Sequence, residues 1–283
     1  MTQENRDSGK GLQSRTPANP FVGRVLLVDD NASIRTMATL YLRALGYQVV
    51  EAVDGEDAVR NVGETPCDLI LMDLNLPRVD GLEATRQIRA TNPGSSQIPI
   101  IGMTAADHNV RRPSCLDAGM NDVIDKVSLL PALPDLLRRF VKPVSGSAVP
   151  PRVPAIEPSG ENPNLDVPEL NCRLALIGKD AMARAFEGFI AQGQRLLTEL
   201  DVAWQKGCHS DTAAVAHRLC GGAATFQMIS LHTSLANLEA ALRASTVNDG
   251  DVAAQLARLS NIWTKSLASF RSWLDSHPLQ SAA

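Results

Sequence analysis

No apolar run in this 283-residue chain approaches the length of a membrane span. The first residues, MTQENRDSGKGLQSRTPANP, hold no apolar signal core. Membrane insertion and export are therefore not expected, and the chain reads as cytoplasmic. Basic residues are not in excess. The formal charge is −4, whereas nucleic-acid binding usually leaves a basic footprint. Cysteine is sparse, five residues with no CxxC pair, which argues against a disulfide framework and for reduced thiols.

What is present divides into two units, in line with the length. Residues 1–21 are a polar tail expected to be disordered. From 22 to 142, short wholly apolar runs, VLLV (25–28), LILM (69–72) and IPIIGM (98–103), each lead into a helical pattern. Runs apolar on both faces are what a parallel strand covered by helices requires. YQVVEA (47–52) adds a second strand in chain order and NDVID (121–125) a weaker fifth. This alternation predicts an α/β flavodoxin-like fold, a five-stranded doubly wound parallel sheet. Residues 143–168 hold seven prolines in 26 positions and read as a Pro-rich linker. From 169 to 280 no strand signal remains, and four long helical periods predict an all-α up-down four-helix bundle.

In an open parallel sheet, ligands sit at the C-terminal strand ends. Those ends carry Asp29 and Asp30 after the first strand, Asp73 after the third, Thr104 after the fourth and Lys126 at the fifth. Three converging carboxylates repel one another unless a hard cation joins them, and oxygen-only ligation suits Mg²⁺. A hydroxyl and an ammonium beside them suit the oxygens of a phosphoryl group.

The motifs LLVDDN (26–31), LILMDLNLPRVDG (69–81), IIGMTA (100–105) and DVIDK (122–126) resemble those of a response-regulator receiver domain, in order and at matching spacing. The resemblance implies that Asp73 is the phosphoacceptor. It also implies that Asp29, Asp30, Asp73 and the backbone carbonyl of Asn75 hold Mg²⁺, and that Thr104 and Lys126 contact the phosphoryl oxygens. Two positions depart from the family. Val123 stands where an aromatic switch residue is usual, and Val127 where a proline in a cis bond is usual. A cis bond before a non-proline residue costs about 2.5–4 kcal/mol, so a trans peptide is expected there.

HRLCGGAATF (217–226) places two glycines inside a helical pattern, although each costs roughly 1 kcal/mol relative to alanine. On a helical wheel Val215, Leu219 and Phe226 share the core face, and His217 points the opposite way, outward. Its outer neighbours, Ser210, Ala213, Ala214, Cys220, Gly221 and Ala224, are all small. So bare a patch predicts that another surface approaches His217 closely, with Gly221 serving that partner and Gly222 the packing of the bundle. A zinc site from Cys208, His209, His217 and Cys220 matches no common spacing. AHRLCGGAA (216–224) with LANLEAALR (235–243) resembles a histidine-phosphotransfer (HPt) domain, which implies that His217 is the phosphotransfer histidine. Cys220 replaces a lysine usual in that family, and Gln227 a glycine.

These resemblances imply a phosphorelay intermediate that takes a phosphoryl group from an upstream sensor histidine kinase on Asp73. It passes through His217 to or from a downstream response-regulator receiver. Nothing in the chain resembles a kinase nucleotide site or a DNA-binding module. Two alternatives stay open: a phosphorylation-controlled binding regulator, and a phosphate sink that hydrolyses the aspartyl phosphate without exchange between the units.

Overall fold

A computed structural model describes residues 22–91, 97–104, 108–141 and 162–277. The expected tail and most of the Pro-rich stretch (142–161) lie outside the described residues.

The apolar runs become five strands: β1 (Arg24–Val28), β2 (Gln48–Ala52), β3 (Leu69–Asp73), β4 (Ile100–Thr104) and β5 (Asp122–Asp125). All pair in parallel, in the order β2-β1-β3-β4-β5. Every residue of β3 and β4 is buried, as double-sided cover demands. That cover comes from α1 (Ala32–Ala44), α2 (Gly55–Glu64), α3 (Gly81–Thr91), α4 (His108–Asp117) and α5 (Leu129–Phe140). The register pairs Val28 with Met72, Asp73 with Met103 and Thr104 with Asp125. The C-terminal ends of β1, β3, β4 and β5 therefore lie along one edge of the sheet, as the sequence predicts.

Among the described residues the C-terminal region is built of helices, with one isolated antiparallel bridge between Leu165 and Met228. It contains α6 (Val167–Ile177), α7 (Lys179–Gln205), α8 (His209–Thr225), α9 (Ile229–Leu242) and α10 (Asp249–Asp275). The last four take up the four helical periods expected between 169 and 280. Helix α6 was not expected. Asp166 caps it, accepting from the Glu169 amide at 3.2 Å, with Pro168 in the first turn. That is an ordinary helix start, hidden because the same proline reads as the end of a linker. Gly178, at φ +80°, separates α6 from α7 in a conformation that favours glycine. Phe186 anchors the aromatic core here, its ring centroid 4.3 Å from Phe270 and 5.7 Å from Phe226.

Helix α1 packs against α6, α7 and α8. The apolar core around Met37, Tyr41, Leu130 and Leu133 runs without interruption into that around Leu170, Phe186 and Leu219. Burying a side chain of this kind contributes roughly 1.5–3 kcal/mol, so this seam is built like a core. Arg173 of α6 is 1% exposed. Its guanidinium pairs with Glu169 at 2.9 Å and donates to the Thr225 carbonyl at the end of α8. A helix end left with unmet carbonyls is thereby satisfied.

Candidate functional site

The sheet edge gathers the predicted residues. Asp29 and Asp30 follow β1, Asp73 ends β3, Thr104 ends β4 and is fully buried, and Lys126 follows β5. Lys126 Nζ lies 2.8 Å from Asp29 Oδ2 and 2.7 Å from Asp73 Oδ2. Asp29 Oδ1 accepts from the Asn31 amide at 2.9 Å, and Asp73 Oδ1 from the Asn75 amide at 3.1 Å. The described backbone contains no cis peptide, so the bond before Val127 is trans, as expected. Lys126 reaches both acids with that peptide. Val123 is buried in the same apolar cluster as Cys115 and Met120.

One lysine does not balance three acids. A carboxylate oxygen from each of Asp29, Asp30 and Asp73 lies within 4.8 Å of the others. Burial, with the charge of Asp73 added, pushes the Asp29 carboxyl up to about 6 against the pull of Lys126. Burial and Asp73 also raise Asp30. For Lys126 burial acts downward, but the two carboxylates outweigh it and hold the ammonium protonated. A desolvated all-oxygen cluster with surplus negative charge fits a hard divalent cation. Among the described residues the cysteines and histidines form no comparable cluster; His209 instead pairs with Asp249 at 3.2 Å.

His217 lies on α8, with Val215, Leu219 and Phe226 buried on the helix as the wheel predicts. The wheel is wrong on three points. His217 does not face open solvent, its side chain being 16% exposed. Ala213 and Cys220 do not belong to an outer patch; both are buried, Cys220 with Sγ 3.6 Å from the His232 carbonyl on α9, which packs along α8. What meets α8 beside His217 is the sheet domain. A Cβ on Gly221 would lie 2.9 Å from Ile34 Cδ1 and 3.3 Å from Asn31 Nδ2, both across the seam. A Cβ on Gly222 would lie 2.7 Å from Phe189 Cε2, within the helical region. The two glycines thus divide as expected, one toward each neighbour.

Asn31 joins the two halves of the site. Its Oδ1 caps α1 by accepting from the Ser33 amide at 3.0 Å, while its Nδ2 donates to the Arg218 carbonyl at 2.7 Å. Gln192 Oε1 of α7 accepts from Ser33 Oγ at 2.7 Å and from its amide at 3.1 Å. Asp30 lies close enough to feel the charges of Arg218 and His217. The acidic pocket and His217 therefore lie on the two sides of one seam.

Glu239 of α9 was not singled out from the sequence. Both its carboxylate oxygens lie 3.1 Å from His217 Nδ1. Burial pushes this carboxyl up, but the His217 hydrogen bond and charge, with Arg243, outweigh it and hold the group below its usual range. Only the i, i+4 relation to Arg243 marks Glu239 in the sequence, and that pattern is common on helix surfaces.

Comparison with known proteins bears on the sheet domain. Residues 25–138 match the family model described as the response regulator receiver domain. The CAI-1 autoinducer sensor kinase/phosphatase CqsS of Vibrio cholerae is 44% identical over 103 residues, which are 36% of this chain and 15% of that protein. The transcriptional regulatory protein AfsQ1 of Streptomyces coelicolor is 33% identical over 142 residues, 50% of this chain and 54% of that protein. The chain thus spans about half or less of the length of these relatives. Among solved structures, the receiver domain of sensor histidine kinase PA1611 from Pseudomonas aeruginosa, crystallised with magnesium in its active-site cleft, is 42% identical. The match covers 42% of this chain and 96% of that one, with a TM-score of 0.39. No helix among the described residues is long and apolar enough to cross a membrane.

Proposed function

Because residues 25–138 are a response regulator receiver domain, we propose that the chain is a two-station phosphorelay protein in which α7–α10 act as an HPt domain. Asp73 takes the phosphoryl group from an upstream sensor histidine kinase, and His217 exchanges it with Asp73 and with the receiver of a second protein. The observation that carries this reading is the shared seam, with the acidic pocket on one side and the Glu239-bound histidine on the other.

The chain's own residues supply most of the chemistry. Glu239 accepts a hydrogen bond from Nδ1–H, which leaves Nε2 with its lone pair free as the nucleophile. Nε2 attacks the phosphorus of the Asp73 acyl phosphate. A P–N bond forms, the P–O bond to Asp73 breaks, and its electron pair returns to the carboxylate. The imidazole keeps its Nδ1 proton, and Glu239 balances the positive charge that develops on the ring. Lys126 and Thr104 hold phosphoryl oxygens at the sheet edge, where positioning and charge neutralisation provide the catalysis. Asp29, Asp30, Asp73 and the Asn75 carbonyl are the residues that would hold Mg²⁺, which when bound neutralises phosphoryl charge.

Labelled acetyl phosphate with Mg²⁺, given to wild type, Asp73→Asn and His217→Gln, tests the reading. Acid-labile phosphohistidine in wild type that vanishes in both variants is the expected result. Label confined to Asp73 would sink the relay and favour a binding regulator or a phosphate sink.

A further inference from the structure

The seam is closed by this chain's own receiver, and that has a consequence for every other partner. Ile34, Met37 and Leu130 are 5%, 0% and 5% exposed on the receiver side. Gly221 lets Ile34 reach the backbone of α8 one turn beyond His217. Two polar clasps flank this apolar contact: Asn31 to the Arg218 carbonyl, and Ser33 to Gln192. Arg173 is buried behind it, tying α6 to the end of α8. A second receiver approaching His217 from this side meets Asn31 and Ile34 in its place.

From this arrangement we propose that the face of α6, α7 and α8 around His217 holds one receiver at a time, and that its resident is the receiver of the same chain. Asp73-to-His217 exchange then runs within one molecule, and delivery to a second receiver requires the seam to open. This rests on the relay reading. It adds that the partner surface is occupied in the closed chain and that Ile34 and Gly221 are its latch.

Two full-length variants separate the donor from the acceptor. His217→Gln carries label on Asp73 but has no acceptor histidine; Asp73→Asn has the histidine but no label. The first is labelled with acetyl phosphate, freed of donor and mixed with the second. Wild type is expected to label His217 at a rate independent of protein concentration. The mixed pair at about 10 micromolar should be slower by about a hundredfold, since a tethered partner sits at an effective concentration on the order of millimolar. Each chain is then opened on the side it does not use in transfer. Gly221→Leu is added to the His217→Gln donor, and Ile34→Glu to the Asp73→Asn acceptor. The opened pair should transfer faster than the closed pair.

Small-angle scattering of the opened chains supplies a readout free of phosphate, with an increased radius of gyration expected. Ile34→Ala, a milder change, should move both readouts in the same direction. Where wild type labels His217, a closed pair as fast as wild type, or an opened pair no faster than the closed one, overturns the latch. So does an unchanged radius in both opened chains. An increased radius with His217 unlabelled in every sample upholds the dock and rejects the relay reading beneath it.

Discussion

His217 Nδ1 stands 3.1 Å from both carboxylate oxygens of Glu239, across from α8 to α9. The contact sets which ring nitrogen is free to react, because an Nδ1–H held by a carboxylate leaves Nε2 unprotonated. Glu239→Ala should slow formation of phosphohistidine by about tenfold, the equivalent of one charge-assisted hydrogen bond at the low end of its range. Glu239→Gln keeps an acceptor in place and should lose less. Single-turnover labelling of His217 from phosphorylated Asp73 checks both, and equal rates for the three proteins would remove Glu239 from the mechanism.

The same pair has a pH signature. The folded Glu239 carboxyl lies below its ordinary value of 4.5, pulled down mainly by His217 against the effect of burial. A group whose folded pKa is depressed adds stability that is complete above its unfolded value and fades as pH falls through the folded value. The difference in denaturant stability between wild type and Glu239→Gln should therefore shrink as pH falls below the ordinary carboxyl value of 4.5. A difference that grows as pH falls through that range contradicts the assignment.

Much of this was legible in the sequence because each feature has a local cause. Wholly apolar runs as short as LILM, alternating with helical patterns, suit a sheet covered on both faces, and the residues that end those runs fall at the sheet edge once the strands are parallel. Gly221 and Gly222 were informative for a similar reason: a costly residue in a helix marks a close approach. What escaped depended on contacts distant in sequence. Glu239 meets His217 because α9 lies beside α8, and Cys220 is buried by the same neighbour, so a wheel of one helix can show neither. Helix α6 was masked by its own Pro168. Gly221 announces a close approach but not its source: that α1 of the same chain meets α8, through Asn31 and Arg218, 187 residues apart, has no local signal.

Asp29 carries an unfavourable charge in a pocket built for a cation. It is fully buried, and burial together with Asp73 pushes its carboxyl up to about 6. Asp29→Asn should therefore stabilise the metal-free protein at neutral pH by about 1–2 kcal/mol, since it removes a desolvated, repelled charge. The same change should abolish the rise in melting temperature that millimolar Mg²⁺ gives wild type, because a ligand specific to the folded state stabilises in proportion to its occupancy. Thermal melts with Mg²⁺ and with a chelator decide both points. A variant still responsive to Mg²⁺ would show that Asp29 does not hold the ion, and one less stable without metal that Lys126 already offsets its charge.

Gln227 occupies the turn between α8 and α9 with φ +52°, the left-handed region in which a side chain costs roughly 1–2 kcal/mol. The glycine usual at this position in the HPt family, which this stretch of sequence resembles, has a physical reason here: the chain must reverse within three residues so that α9 can bring Glu239 back to His217. Backbone bonds hold the turn, with the Gln227 amide donating to the Ala224 carbonyl at 3.0 Å and the Met228 amide to that of Ala223 at 3.0 Å. The Gln227 carbonyl also accepts from the Asp166 amide at 3.2 Å, tying the entry of α6 to the same turn. Glycine keeps all three bonds and removes the steric cost, offset in part by the greater freedom of the unfolded chain. Gln227→Gly should therefore stabilise the protein by about 1 kcal/mol in denaturant unfolding, with the rate of His217 labelling unchanged. Gln227→Val, β-branched and poorly suited to positive φ, should destabilise it by a similar amount. Should both variants prove equally stable, the left-handed turn is not the conformation the protein holds at this corner.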